Sequence, residues 1–378
     1  MATVRQRVKN KLLAGARTLR VASNPRLLYL EVSNKLRSSK RLDGVIVTLT
    51  VYNNYGNVIQ RYALQQFLAK NGYRFGMLDL HNSTPNKNHV NLRIFVKKYL
   101  TQEKFSIKKS ARHSAYIVGS DQVWRHFSIN KTWNQFGIQF LHFVKNESAN
   151  RIAYAASFGV DTLEEAGINE WHQKMIKPLM KKFNAVSVRE NSGRGLAKKL
   201  GAGKVAQVLD PTLLLNARDY EQLIERAKLL RAQSEKVFFY LIQQTPLTES
   251  AIEYYTHETD GGVYGILPYE RGVKLPSVET WLNSIRNAEF VVTDSYHALV
   301  FSIIFHTDFI VFEKSLGGLA RIKELLEPLG LEDRIVIQGN KKRYSPQHKP
   351  INWRGVEEKL AGQRKTSSDW LFQALLKE

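Results

Sequence analysis

A carboxylate, a hydroxyl and an imidazole stand within four positions of one another in Thr293-Asp294-Ser295-Tyr296-His297-Ala298-Leu299. Side chains of these types can orient a ligand and move a proton near neutral pH, histidine above all, because its unperturbed pKa suits both acid and base. The preceding run, Glu289-Phe290-Val291-Val292, has the composition of a buried strand, and the following run, Val300-Phe301-Ser302-Ile303-Ile304-Phe305, continues as a helix. In open α/β sheets such a strand, turn and helix junction is where ligands sit. Two readings stand here. Either Asp294 or Ser295 caps the helix and His297 is a hydrogen-bonded core histidine, or all three face a crevice.

The elements that would position such a site recur along the chain. Gly44 to Val51 is a buried strand, Asn53-Asn54-Tyr55-Gly56-Asn57 a turn, and Val58 to Asn71 a helix that stops at Gly72. Asn54, Tyr55 and Asn57 thus lie at a helix start, where exposed amides attract anions, although neither the three-glycine dinucleotide pattern nor a Walker loop is present. The strand Ala115 to Val118 runs into Gly119-Ser120-Asp121-Gln122-Val123-Trp124, which places Ser120, Asp121 and Gln122 at its carboxyl end. Arg151-Ile152-Ala153-Tyr154-Ala155-Ala156-Ser157-Phe158-Gly159 and Ala185-Val186-Ser187-Val188-Arg189-Glu190 repeat the design. Strands that end in polar residues beside helices point to one parallel sheet with one functional edge. Arg189 either pairs with Glu190 or meets an anion there.

Asp210-Pro211-Thr212 reads as a boundary, after which strand and helix alternate again through Lys236–Ile242, Val263–Leu267, Val278–Ala288 and Asp308–Phe312. The expected organisation is an α/β half over residues 43–212, a second over 213–351 and a helical segment over 352–378.

Composition narrows the classes of function. With 43% hydrophobic residues in 378 the chain is globular, and no apolar run is long enough to span a membrane. Zero cysteines exclude disulfides, thiolate metal sites and a cysteine nucleophile. The first residues lack a secretory signal, so a cytoplasmic protein is expected. A net charge of +22 predicts attraction to polyanions. Much of it lies in a basic leader, residues 1–42, where Glu31 is the one acid and the spacing of Val4, Val8, Leu12 and Leu19 predicts an amphipathic helix. Such a helix suits the inner face of an anionic membrane; a solvated leader is the alternative. No reader module for nucleic acid follows it.

In order and spacing, Asn54-Tyr55-Gly56-Asn57 with Gln60 and Tyr62-Ala63-Leu64, Gly119 to Trp124, Tyr154 to Gly159, Ser187 to Glu190, Leu209 to Thr212 and Thr293 to Ala298 resemble the polysaccharide pyruvyltransferase family, over about Val45 to Leu331. The resemblance implies α/β architecture with two Rossmann-like domains facing a cleft, similar to GT-B glycosyltransferases. It also implies transfer of pyruvate from phosphoenolpyruvate to a sugar of a surface or exopolysaccharide, or its lipid-linked precursor, as a ketal. Phosphoenolpyruvate is then a co-substrate, and neither a cofactor nor a metal is called for. His297 would be catalytic, and Arg189, Arg321, Asp294 and Ser295 would bind the donor. Asn54, Tyr55, Asn57, Ser120, Asp121 and Gln122 would line the cleft or meet the acceptor. Some members of the family carry an arginine shortly before the histidine, where this chain has Ser295 and Tyr296. Arg321 is the candidate replacement, with Lys314 second, and a guanidinium that only covers a helix surface is the competing account of Arg321. Two rival functions are a nucleotide-sugar glycosyltransferase, for which Glu313 and Lys314 leave room, and a basic non-enzymatic protein that binds polysaccharide or membrane.

Overall fold

A computed structural model describes residues 42–50, 54–80, 89–126, 132–227, 236–258, 262–270, 273–314, 318–339, 341–346 and 348–376. The basic leader, apart from Leu42, lies outside the described residues.

Seven strands form the first sheet: β1 (Gly44–Val47), β2 (Phe75–Asp79), β3 (Gln102–Lys104), β4 (Ala115–Val118), β5 (Asn150–Ala156), β6 (Ala185–Val188) and β7 (Val205–Gln207). Their spatial order is β3-β2-β1-β4-β5-β6-β7 and every pairing is parallel. The second sheet holds β8 (Val237–Tyr240), β9 (Val263–Ile266), β10 (Phe290–Thr293), β11 (Asp308–Phe312) and β12 (Ile335–Val336), in the order β12-β11-β10-β8-β9, again all parallel. Strands buried on both faces explain the near-continuous apolar runs: all four residues of β1 and of β10 are buried.

Each order reverses once, between β1 and β4 in the first sheet and between β8 and β10 in the second. Ligand crevices open at the carboxyl ends of strands at such reversals. The helix that follows β1 is α1 (Tyr55–Lys70). The helix α2 (Val278–Asn287) leads into β10, and α3 (Tyr296–Phe305) leaves it. After β11 comes α4 (Leu319–Leu329), and α5 (Trp353–Leu375) closes the described chain. Helix α3 is apolar nearly all round because it is buried nearly all round, from Ala298 to Ile304.

The halves share a core. Buried residues of α1, such as Val58 and Leu64, belong to one continuous apolar cluster with Phe238, Trp281, Val291 and Phe301 of the second half. Tyr55 is the anchor of that seam. Its ring stacks on Trp281 at 4.8 Å, and its hydroxyl donates to the Pro276 carbonyl at 2.9 Å. Burying an aromatic ring of this kind contributes about 2 to 3 kcal/mol. Helix α5 returns to the first half, where its Ser367 hydroxyl accepts the Leu209 amide at 3.0 Å and Asn150 donates to the Ala374 carbonyl at 2.8 Å.

Candidate active site

At the first reversal, Asn54 has extended backbone and its side chain accepts the Asn57 amide at 2.7 Å, so it caps α1. The Asn57 amide group then donates to the Leu49 carbonyl and, at 3.0 Å, to Asp121 Oδ2. Asp121 has φ of 75°, in the left-handed region, and its other oxygen accepts the Gln122 amide. This junction is knitted together by its own side chains. Gln122 turns toward Gly159, where a Cβ would come within 2.6 Å of its side-chain amide carbon. Tyr55, expected in the cleft, instead lies fully buried in the seam.

At the second reversal, Asp294 is buried, and its two oxygens accept the amides of Ile242 at 2.7 Å and Gln243 at 2.9 Å, beyond the end of β8. Burial raises its pKa, while the Lys314 charge and those amides oppose the rise. Asp294 therefore braces β10 against β8 with both oxygens engaged. Ser295 occupies the N-cap position of α3, yet no side chain caps this helix. The first turn of α3 carries Tyr296 and His297 into the space between the halves.

His297 meets the first half at two points. A Cβ on Gly56 of α1 would fall 2.1 Å from His297 Nδ1, so this glycine is what lets the imidazole seat against α1. On the other side, His297 Nε2 lies 3.7 Å from Asp210 Oδ2 and has no hydrogen-bond partner.

Asp210 ties the constellation together. Its Oδ1 accepts the Thr212 amide at 3.0 Å and hydroxyl at 2.7 Å; its Oδ2 accepts Arg189 Nη1 at 2.9 Å and the Ser120 hydroxyl at 3.4 Å. Burial pushes its pKa up, but His297, Arg189 and Thr212 outweigh burial and hold the carboxyl well below the usual carboxylate range. It is a permanent anion beneath the imidazole.

Arg189 follows β6 and is buried, with Nε 3.6 Å from Glu190 Oε2. Glu190 is held in turn: its Oε1 accepts the Ser157 hydroxyl and the amides of Phe158 and Gly159, both at 3.1 Å. Burial lowers the pKa of Arg189, but Asp210 and Glu190 more than restore it, so the guanidinium stays charged. Its Nε and Nη2 still lack hydrogen-bond partners. Arg321, in the first turn of α4, is partly buried, and its Nε is likewise unpartnered. Burial and then the Arg189 charge disfavour its protonated form. Both guanidinium groups lie over the Tyr296 ring, with their carbons 5.0 and 6.0 Å from its centroid. Two guanidinium groups that converge on one ring with donor nitrogens still unpartnered make a site that an anion with several oxygens would fit.

Arg189, Asp210, Tyr296 and Arg321 line one end of a cavity of about 680 Å3, which α5 closes with Lys359, Gln363 and Thr366, and His297 and Ser120 adjoin it through Asp210. His297, Arg189, Arg321 and Ser120 are thus brought to one place. Asn54, Asn57, Asp294 and Asp121 frame it, Lys314 lies beside Asp294, and Gln122 and Tyr55 point elsewhere. Sequence reasoning passed over Tyr296, Gly56 and Asp210 as functional residues and read Asp210 as a domain boundary. An aspartate three residues past the final strand of the first sheet was the signal available for it. Among the described residues, no group of three His, Asp or Glu could hold a metal ion, and no helix is long and apolar enough to cross a membrane.

No curated protein matches the chain in sequence. Solved structures resemble it in fold. A Listeria monocytogenes structure assigned to UDP-N-acetylglucosamine 2-epimerase shares 8% identity over 88% of this chain and 90% of its own, with a TM-score of 0.50. The Neisseria meningitidis UDP-GlcNAc 2-epimerase bound to UDP-GlcNAc shares 8% over 88% and 94%, with a TM-score of 0.48. The E. coli heptosyltransferase WaaC with ADP shares 13% over 84% and 99%, at 0.38. With two parallel Rossmann-like sheets on either side of the Asp210–His297 contact, the architecture is of the GT-B type. Residues 54–315, which hold His297, Arg189 and Asp210, match the model described as polysaccharide pyruvyl transferase, and the chain belongs to that family.

Proposed function

We propose that the chain transfers the enolpyruvyl carbons of phosphoenolpyruvate to two hydroxyls of one sugar in a surface or exopolysaccharide, or in its lipid-linked precursor, as a ketal. The observation that carries the reading is the pair Arg189 and Arg321, whose unpartnered nitrogens share a cavity beside His297. A carboxylate and a phosphate on one small donor offer two sets of oxygens to two guanidinium groups. Phosphoenolpyruvate serves as co-substrate, with no added cofactor.

His297 gives a proton to the methylene carbon of the donor, and the adjacent carbon becomes oxocarbenium-like. Asp210 stabilises the imidazolium before that step and keeps the ring oriented. One sugar hydroxyl adds to the cationic carbon and loses its proton; the carbon to phosphate-oxygen bond breaks, and phosphate leaves. The second hydroxyl adds to the same carbon and closes the ketal. Of the two protons released by the hydroxyls, one replaces the proton given by His297 and the other leaves with phosphate. Arg189 and Arg321 hold the carboxylate and compensate the charge on the departing phosphate, beside the start of α3, which no side chain caps.

Glycan acceptors with vicinal or 4,6-related hydroxyls, incubated with the protein and phosphoenolpyruvate, are expected to yield inorganic phosphate and a matching mass gain on the glycan. Consumption of a nucleotide sugar with no phosphate from phosphoenolpyruvate would overturn the reading in favour of glycosyl transfer. Work at the cytoplasmic membrane face follows if the acceptor is lipid-linked. Removal of residues 1–40 should then lower binding to anionic liposomes more than turnover on a soluble acceptor.

A further inference from the structure

A second recess opens on the same edge of the first sheet, and the reaction above makes no use of it. The segment leaving β4 is zipped onto the segment leaving β5: the Ser157 amide donates to the Asp121 carbonyl at 3.1 Å, Trp124 to Ser157 at 3.1 Å and His126 to Ala166 at 2.8 Å. Five residues of chain reach at most ~18 Å, so His126 stands within a few sugar lengths of Asp121. Around it lies a cavity of about 590 Å3 lined by His126, Leu163, Glu164, Ile168, Glu170 and His172. The two imidazoles are 4.5 Å apart. Burial lowers the pKa of each, and their proximity adds to the fall at His172, so both rings are neutral at pH 7. His172 Nδ1 accepts the Asn169 amide at 3.4 Å, which leaves its Nε2–H as the donor.

Beside the recess the helix Glu170–Met180 displays Trp171, which is 52% exposed, and Met175. Trp171 stands edge-to-face with Trp133 at 5.7 Å. Two adjoining indoles left in contact with water are an unsatisfied apolar surface.

We propose that this recess and the Trp133–Trp171 pair form a distal subsite for the glycan acceptor, holding uncharged sugar residues a few units away from the one being modified. It rests on the reading of the acceptor as a glycan. A sugar ring has an apolar C–H face and a rim of hydroxyls. The face matches an exposed indole, and the hydroxyls match the exposed carboxylates of Glu164 and Glu170 together with the His172 Nε2–H. The main competitor for exposed tryptophans on a basic protein is an anionic membrane. Charge argues against it here, since Asp161, Glu164, Glu165 and Glu170 are all exposed along this rim against Lys174 and Lys177 on the same helix. The zipped segments tie the recess to Asp121 at the strand ends that frame the reaction site.

The full-length protein, without phosphoenolpyruvate so that no transfer occurs, is applied to arrayed neutral glucose, galactose and mannose oligosaccharides of graded length. Binding should strengthen with length, and Trp171→Ala should weaken it about tenfold for the longer chains while Trp171→Phe retains most of it. Absence of length dependence on every series overturns the subsite, as does equal binding by Trp171→Ala. Loss of phosphatidylglycerol-vesicle binding in Trp171→Ala with sugar binding intact would overturn it in favour of a membrane face. Phosphate release from phosphoenolpyruvate by the wild-type protein is measured alongside. Its absence, with length-dependent sugar binding preserved, would overturn the pyruvyl reading and leave the subsite standing.

Discussion

Helices α1 and α3 begin alike, each just past a buried strand at a reversal of strand order, yet their first turns have opposite fates. The start of α1 is closed by the Asn54 side chain, and the Asn57 amide group is engaged by Asp121 and the Leu49 carbonyl. The start of α3 has no side-chain cap, and His297 Nε2 in its first turn has no hydrogen-bond partner, although an aspartate lies 3.7 Å away. Polar groups that satisfy one another make a frame, whereas polar groups held in place but unsatisfied make a reagent. Gly56 joins the two, because the closed helix start is bare where the open one needs room.

The largest way to break this contrast is to remove the reagent. His297→Ala should lower phosphate release about 10³-fold with donor affinity within a few-fold, as checked by stopped assays and by titration with phosphoenolpyruvate. Equal activity of the variant would return His297 to the status of a core residue.

Next in size is the anion beneath it. Asp210→Asn leaves Arg189 buried against a neutral amide and should cost about 3 kcal/mol of stability at pH 7, read by thermal melting. The pH dependence has a definite sign. The folded pKa of Asp210 is depressed, so its contribution is fully present above the unfolded value of about 4 and is lost as pH falls below it. The wild type should therefore lose more stability than Asp210→Asn on acidification from pH 5 to pH 2.

A single methyl on the frame tests whether the two helix starts are coupled. Gly56→Ala would drive a Cβ into the imidazole, and a ring displaced by about 1 Å is expected to cost about 10²-fold in turnover. Phosphoenolpyruvate affinity should change little, since Arg189 and Arg321 are untouched. Unchanged turnover would mean that the imidazole position does not matter.

The smallest effects separate cap from decoy. Asn54→Ala should destabilise by about 1 kcal/mol, while Ser295→Ala, whose hydroxyl caps nothing, should stay within about 0.5 kcal/mol. Chemical denaturation of both variants resolves the difference, and equal losses would erase the distinction between the two helix starts.

Much of this was legible in one dimension. Apolar runs such as Phe290–Thr293, followed by Asp294, Ser295 and a helix-forming segment, encode strand, turn and helix through local preferences. The same logic marked Asn54, Ser120 and Arg189 as strand-end residues. Tyr55 misled because a tyrosine next to a glycine-containing turn looks polar and accessible. Its burial comes from Trp281, more than two hundred residues away.

What the chain alone determined is thus the list of strand ends and the residue types waiting at them, since both follow from short-range pattern and from the chemistry of each side chain. Tertiary structure decided which of those ends face one another. Asp210, at the close of the first sheet, meets a histidine from the second half and an arginine just past β6 because parallel sheets gather their carboxyl ends on one side. The same folding packed Gly56 against an imidazole far along the sequence and laid two guanidinium groups over Tyr296. Contacts of that range depend on how layers stack, and no local spacing records them.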